Sequence, residues 1–319
     1  MKFDASVIIL TYFPEKEKLF STLKSVLMQK NISYEILVAD DGSDNFYREE
    51  IEEMMNEYNF NNFKFVAHKE NKGTVINFYD ALKEAEGEIV KPISPGDYFY
   101  SEDTLYKVYE FMKEHNADAT FGNIVYYSND EKFKVFDIKT PICDDIYLNY
   151  KNYNSQKIAK SLIKYSDFIC GASLFYKTSV LTEFLSQVIG TLIYAEDAIT
   201  QFFAIEGKKI LKFDEFVVFY EYASGISAGN NFGSNRIMDD FIRFYKLLSQ
   251  KYPKNAYLET AKRKFDLIVK NDRIGYYLYR LTLIDNIFRS IKQKIVLKSY
   301  KCENFNLNFF EKITERNSA

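Results

Sequence analysis

Two observations predict an α/β fold built on a mixed, mostly parallel sheet. From the start of the chain, apolar runs of strand length alternate with amphipathic helical stretches of about 12 to 15 residues. Several of the strand runs also end in short polar turns that hold carboxylates, and an open α/β sheet gathers its ligand at that edge. With 319 residues, 47% of them hydrophobic, the chain can build one large domain and an appendage.

The elements follow in order. Residues 6–11 form a continuous apolar run, as a strand buried on both faces does, and residues 15–29 place Leu19, Leu23, Val26 and Leu27 at helical spacing. The unit repeats as strand 34–39, helix 46–58, strand 63–67, helix 74–85 begun after Gly73, and strand 88–93. Strands separated in this way pair in parallel through right-handed crossovers. After Asp97 a helix is expected over 101–115 with Ser101 as its cap, then a strand over 119–127. Residues 132–164 keep no period, and Pro141, Asn149, Asn152 and Asn154 suggest irregular cover over a site. Strands over 172–176 and 216–222 should follow, with helices over 178–187 and 196–205 between them. Beyond Asn235 only helices are needed, over 236–248, 255–269 and 274–295, with Lys and Arg on one face and Tyr, Phe, Leu and Ile on the other. The expected organisation is a domain over 1–235 and a basic helical region over 236–319.

Composition excludes several classes. Cys143, Cys170 and Cys302 are far apart and lack metal-ligand spacing, which argues against a disulfide framework and a zinc site. No window approaches the roughly 18 uncharged apolar residues of a membrane span, and the first residues lack the features of a signal peptide, so a cytoplasmic location is expected. Net charge is −3, but from Arg236 onward 18 Lys+Arg face 9 Asp+Glu. That asymmetry suggests a second task. The helical region is either a cap on the catalytic domain or a surface that meets anionic lipid on the inner face of the plasma membrane, and no motif supports nucleic acid as a partner.

Candidate chemistry lies in the carboxylates. Asp40 and Asp41 follow the second strand, Asp97 follows the fourth, and Glu196-Asp197 opens a helix, whereas Asp80 falls within a helix and reads as a solvated face. A carboxylate at a strand end can cap the next helix, or it can accept the imide N–H of a uracil-type base or a ribose hydroxyl. His68 and His115 lie near no such group and read as structural.

Taken in order, the segments Ser6-Val-Ile-Ile-Leu-Thr-Tyr12, Val38-Ala-Asp-Asp-Gly-Ser43, Asn71-Lys-Gly73 with Asn77, Ile93-Ser-Pro-Gly-Asp97 and Ala195-Glu-Asp197 resemble the inverting nucleotide-sugar glycosyltransferases of family 2. The likeness covers roughly residues 3–228. It implies a GT-A fold, a single Rossmann-like nucleotide-binding domain, here followed by the helical region. It also implies hexosyl or hexosaminyl transfer from a nucleotide-diphosphate sugar, a UDP-sugar being favoured, to a glycan or lipid-linked glycan in cell-surface polysaccharide synthesis. Thr11, Tyr12, Asp40, Asp41, Asn71, Gly73, Asn77, Ser94 and Asp97 would serve the donor, Gly171 and Glu196 the acceptor side, and Asp197 would be the catalytic base. A base is required because a sugar hydroxyl is a poor nucleophile at neutral pH.

The family usually carries Asp-x-Asp after the fourth strand to hold Mg²⁺ or Mn²⁺ against the diphosphate. Here Ser94 and Gly96 occupy those two positions and leave Asp97 as the single acidic metal candidate, with Lys72 or Lys91 as cationic alternatives. In the segment that closes the domain, Glu221 and Ala223 stand where Arg and His are common. The rival readings are a metal-dependent nucleotidyltransferase, for which the turn after the first strand lacks a Gly-rich basic loop, and a binding homologue that has lost turnover.

Overall fold

The computed structural model describes residues 2–128, 134–136, 149–221, 231–285, 287, 288, 291 and 305–315. Nine strands form one sheet. They are β1 (Phe3–Thr11), β2 (Tyr34–Asp40), β3 (Phe63–Ala67), β4 (Gly87–Ile93), β5 (Tyr98–Phe99), β6 (Ala119–Ser128), β7 (Lys134–Phe136), β8 (Leu174–Lys177) and β9 (Ile210–Glu221). Their order is β3-β2-β1-β4-β8-β6-β9-β5, with β7 beside β6. The long ladders β1–β2, β1–β4, β2–β3 and β6–β9 are parallel, while the short β8 runs antiparallel to both β4 and β6. The β1–β2 register sets Thr11 beside Asp40 at the carboxyl edge.

Helices cover both faces, which is why β2 is buried along its whole length. One face carries α1 (Lys16–Leu27), α2 (Arg48–Glu57) and α4 (Thr104–His115), whose Leu19, Leu23, Ile51, Met55 and Val108 meet Val7 and Ile9 of β1. The opposite face of β1 presents Ile8 and Leu10, the alternation expected of a strand. These meet α3 (Thr74–Glu84), α6 (Thr178–Ser186) and α7 (Ile199–Ile205). The short α5 (Ser155–Ala159) runs into a π-helical turn over Lys160–Lys164, where no period was legible.

The helical region is continuous with this second face. Phe241, Phe244, Tyr245 and Leu248 of α8 (Asn231–Lys251), with Leu258 and Phe265 of α9 (Ala256–Val269), belong to the same buried cluster as α3 and α7. Helix α10 (Arg273–Thr282) follows, and α11 (Leu307–Thr314) returns to the far sheet edge, where Phe309, Phe310 and Ile313 close over Tyr98, Tyr127 and Phe219.

The fourth helix starts at Thr104, three residues later than expected, because Ser101 turns its hydroxyl onto Asp103 and its N–H onto Thr104. Strand β9 begins at Ile210, earlier than 216, since Lys212, Asp214 and Glu215 interrupt its apolar pattern where the pairing with β6 shifts register. The expected strand over 172–176 is reduced to β8, preceded by a 3₁₀ turn over Gly171–Ser173. Strand β5 and helix α11 were not anticipated. Pro141, Cys143, Ala223 and Cys302 lie outside the described residues.

Candidate active site

The carboxyl ends of β1, β2 and β4 converge on one edge. Asp40 is buried there, and all its acceptor sites are taken. Oδ1 receives the hydroxyls of Thr11 and Ser43 at 2.8 and 2.7 Å, and Oδ2 receives the backbone N–H groups of Ser43 and Gly42 at 2.7 and 3.1 Å. Ser43 Oγ in turn accepts the Phe13 N–H at 2.7 Å. That bond fixes Phe13 at φ 47° and leaves Tyr12 and Phe13 half exposed, edge to face at 4.8 Å. Asp40 and Thr11 thus shape the turn from behind, and the outward surface is aromatic. Phe13 escaped the sequence reading because nothing in Thr-Tyr-Phe-Pro announces its left-handed backbone.

Asp41 faces the next loop. Its Oδ1 accepts the Lys72 N–H at 2.8 Å and its Oδ2 the Gly73 N–H at 2.9 Å. Oδ1 also lies 3.3 Å from Nδ1 of His68, whose Nε2 lies 3.0 Å from Asp80. His68 keeps a structural role but lies beside a candidate carboxylate, and Asp80 is part-buried rather than a solvated face: both stand behind Asp41 and orient it. A carboxylate has about four acceptor sites, so Asp41 keeps capacity for one further donor. Asn77 is 2% exposed and donates its amide to the Ala39 carbonyl at 2.9 Å, tying α3 to β2 rather than facing a ligand.

At the end of β4, Thr22 braces the Ser94-Pro-Gly-Asp97 turn, accepting the Gly96 N–H at 3.1 Å and donating to the Asp97 carbonyl at 3.0 Å. Burial pushes the Asp97 carboxyl up to about 7, opposed by the nearby Lys91 and by backbone N–H groups of Glu221 and Ser94. Lys91 is fully buried, with Nζ on the Ala172 carbonyl at 2.5 Å and above the Phe175 ring. It is therefore withdrawn as a diphosphate partner.

A hard divalent cation needs several oxygen ligands. Ser94 and Gly96 bring no carboxylate. The acid nearest Gly96 is Glu221, whose Oε2 lies 2.9 Å from where a β-carbon on Gly96 would stand and pairs with Lys18 at 2.9 Å. Among the described residues no three His, Cys, Asp or Glu side chains gather to hold a metal. These residues do not fit a resident divalent ion.

Glu196 and Asp197 sit on a 3₁₀ turn at the start of α7. Burial pushes Glu196 up to about 8, reinforced by Asp197 and Asp240, and pushes Asp197 up to about 6 against backbone N–H groups led by that of Gly171. Both carboxyls of the pair are thus held above the ordinary carboxylate range and compete for protons, the arrangement an acid–base site uses. A β-carbon on Gly171 would lie 3.2 Å from Glu196 and 3.4 Å from Asp197, so the glycine lets the two acids pack against the backbone. Burial raises the Cys170 thiol to about 12, and it stays inert.

The loop before this pair is held from both sides. Asp240 of α8, fully buried, accepts the N–H groups of Ile193, Tyr194 and Ala195 on one oxygen at 3.0, 2.6 and 2.9 Å, and Arg243 on the other. Opposite, the Val75 N–H donates to the Ile193 carbonyl at 3.0 Å. Gly73, at φ 90°, has no room for a β-carbon, which would fall 2.4 Å from Ile193 Cγ2. The Asp41-bound loop and the loop of the acid pair therefore touch.

A Rossmann-like sheet with a nucleotide-binding edge and a buried acid pair beside it defines the chain as a GT-A glycosyltransferase. Residues 6–182 match the family model described as glycosyl transferase family 2. The chain belongs to that family, and its reaction is glycosyl transfer from a nucleotide sugar. In fold it is similar to residues 1–349 of S. aureus TarS in complex with UDP, at 18% identity, TM-score 0.52, and coverage of 82% of this chain and 70% of that one. It is likewise similar to the mannosyltransferase PcManGT from Pyrobaculum calidifontis in complex with GDP-Man and Mn²⁺, at 12% identity, TM-score 0.57, and coverage of 99% and 85%. No curated protein matches the sequence.

Proposed function

We propose that the chain is an inverting hexosyl- or hexosaminyltransferase that moves a sugar from a UDP-sugar to a hydroxyl of a glycan or lipid-linked glycan, within domain 1–235, at the cytoplasmic side. The observation that carries the reading is the Glu196-Asp197 pair packed against Gly171, on a loop that touches the Asp41-bound loop through the Val75–Ile193 hydrogen bond. Asp197 takes the acceptor proton while the hydroxyl oxygen attacks the anomeric carbon, and the nucleoside diphosphate departs from the opposite face. Glu196, protonated, donates a hydrogen bond on the acceptor side next to Gly171. Tyr12 and Phe13 stack on the base, and Asp41 accepts its imide N–H. Asn71 and Gly73 line the donor, and Ser94 and Asp97 meet the ribose end.

TarS was solved with UDP, and this agrees with a uridine donor. PcManGT was solved with Mn²⁺, but no step here is routed through a metal, because the oxygen ligands at positions 94–97 do not fit one. Lys72, exposed beside the Asp41 loop, is the cation placed to meet the diphosphate. The Asp197→Asn variant tests the assignment: transfer should fall by about 10²-fold or more while UDP binding, read by thermal shift, is unchanged. Near-normal turnover would refute the role. Mn²⁺ titrated without nucleotide should show no saturable binding by electron paramagnetic resonance, and a micromolar site would reopen Asp97 as a ligand.

A further inference from the structure

Helix α10 is apolar on two opposite faces. Inward, Tyr279 and Leu283 are buried, and the Tyr279 hydroxyl donates to the Thr260 carbonyl of α9 at 3.1 Å. Outward, Ile274, Tyr277, Leu278 and Leu281 share one face of the helix and are 46% to 76% exposed, and after the break at Leu283 the side chains of Ile284 and Phe288 are exposed as well, at 62% and 69%. A row of large apolar side chains on one exposed face is uncommon on a soluble surface and marks a contact.

The surroundings select the partner. Arg273 and Arg280 flank the row on the helix itself, and Lys262, Arg263 and Lys270 are exposed on the adjoining helix and turn. Four acids offset them in part: Glu259, Asp266, Asp272, which caps the helix through the Gly275 N–H at 2.8 Å, and Asp285, which is paired with Lys160 and Lys164 at 2.8 and 3.3 Å. A two-fold pairing with a second copy would set this basic rim against itself, because an isologous contact meets its own surface. An anionic bilayer supplies both an apolar layer for the row and negative headgroups for the rim. No helix among the described residues is long and apolar enough to cross a membrane.

We infer that the outward face of α10 lies in the headgroup region of an anionic bilayer and holds the enzyme at the membrane surface. This goes beyond the reading of the catalytic site and does not depend on it. The full chain is floated with phosphatidylcholine vesicles containing or lacking phosphatidylglycerol, and its mass in solution is measured by light scattering. Binding should require the anionic lipid and weaken with salt. Each of Arg273→Gln and Arg280→Gln should lower affinity about fivefold, and Leu281→Ser with Phe288→Ser at least about tenfold, with the melting midpoint unchanged. Failure of the unsubstituted chain to bind anionic vesicles overturns the proposal, as does binding indifferent to both substitution sets. A dimer that Leu281→Ser and Phe288→Ser dissociate also overturns it, in favour of a second copy on this face.

Discussion

Glu196 is the residue where function works against stability. Its carboxyl rises from an ordinary 4.5 to about 8 on folding, chiefly through burial. A folded value above the unfolded one means the native state holds the extra proton, so the stabilisation is complete below pH 4.5 and is lost as pH rises through 8. Glu196→Gln cannot lose that proton. Its melting midpoint should fall less than that of the unsubstituted protein between pH 6 and 9, and parallel profiles would contradict the burial. Asp197, as the proposed base, should set the opposite limb of activity: turnover is expected to decline as pH drops through about 6. The acid pair was legible in the sequence, because Glu-Asp at a helix start follows the family's other segments in order. The partners that tune it were not. Asp240 and His68 act through contacts between residues far apart in the chain, and no local spacing signals either.

At the scale of elements, α8 positions the loop that leads into the proposed base. Asp240 holds three consecutive backbone N–H groups with a single carboxylate oxygen, and the loop it holds leads directly into Glu196. Asp240→Asn keeps the shape but replaces a charged acceptor with a neutral one. We expect kcat to fall about 10-fold or more with the donor KM little changed, and the alkaline limb of the pH profile to move to lower pH, since Asp240 also pushes Glu196 upward. An unaltered pH profile would reduce Asp240 to a packing role. The early strands and helices were readable because their hydrophobic period is uninterrupted. Strand β9 was half hidden by the charges at its register shift, and β5 is too short to carry a pattern.

Across the whole molecule, the two ends of the chain meet. Phe310 of α11 packs edge-on against Tyr98, Tyr127 and Phe219, with ring centroids 5.0 to 5.7 Å apart, and Lys24 of α1 pairs with Glu315 at 2.7 Å. The ion pair is exposed and contributes little, whereas the aromatic cluster is buried. Phe310→Ala should cost about 3 to 5 kcal/mol in denaturant unfolding, a value near zero meaning that α11 is dispensable. Tyr127 also donates its hydroxyl to the Gly96 carbonyl, so the damage should reach the turn that carries Asp97.

The hold of α8 on the base loop has a consequence for biosynthesis. Domains generally fold as they emerge from the ribosome, amino-terminal part first. The nucleotide-binding strands leave the ribosome early, yet the loop carrying Asp197 lacks its carboxylate anchor until residue 240 is made, and the far sheet edge stays uncovered until residue 310. At about 5 to 20 residues per second, several seconds separate the synthesis of Asp197 from that of Asp240, which anchors its loop. The loop of the acid pair is therefore fixed in place later than the strands that form the donor edge.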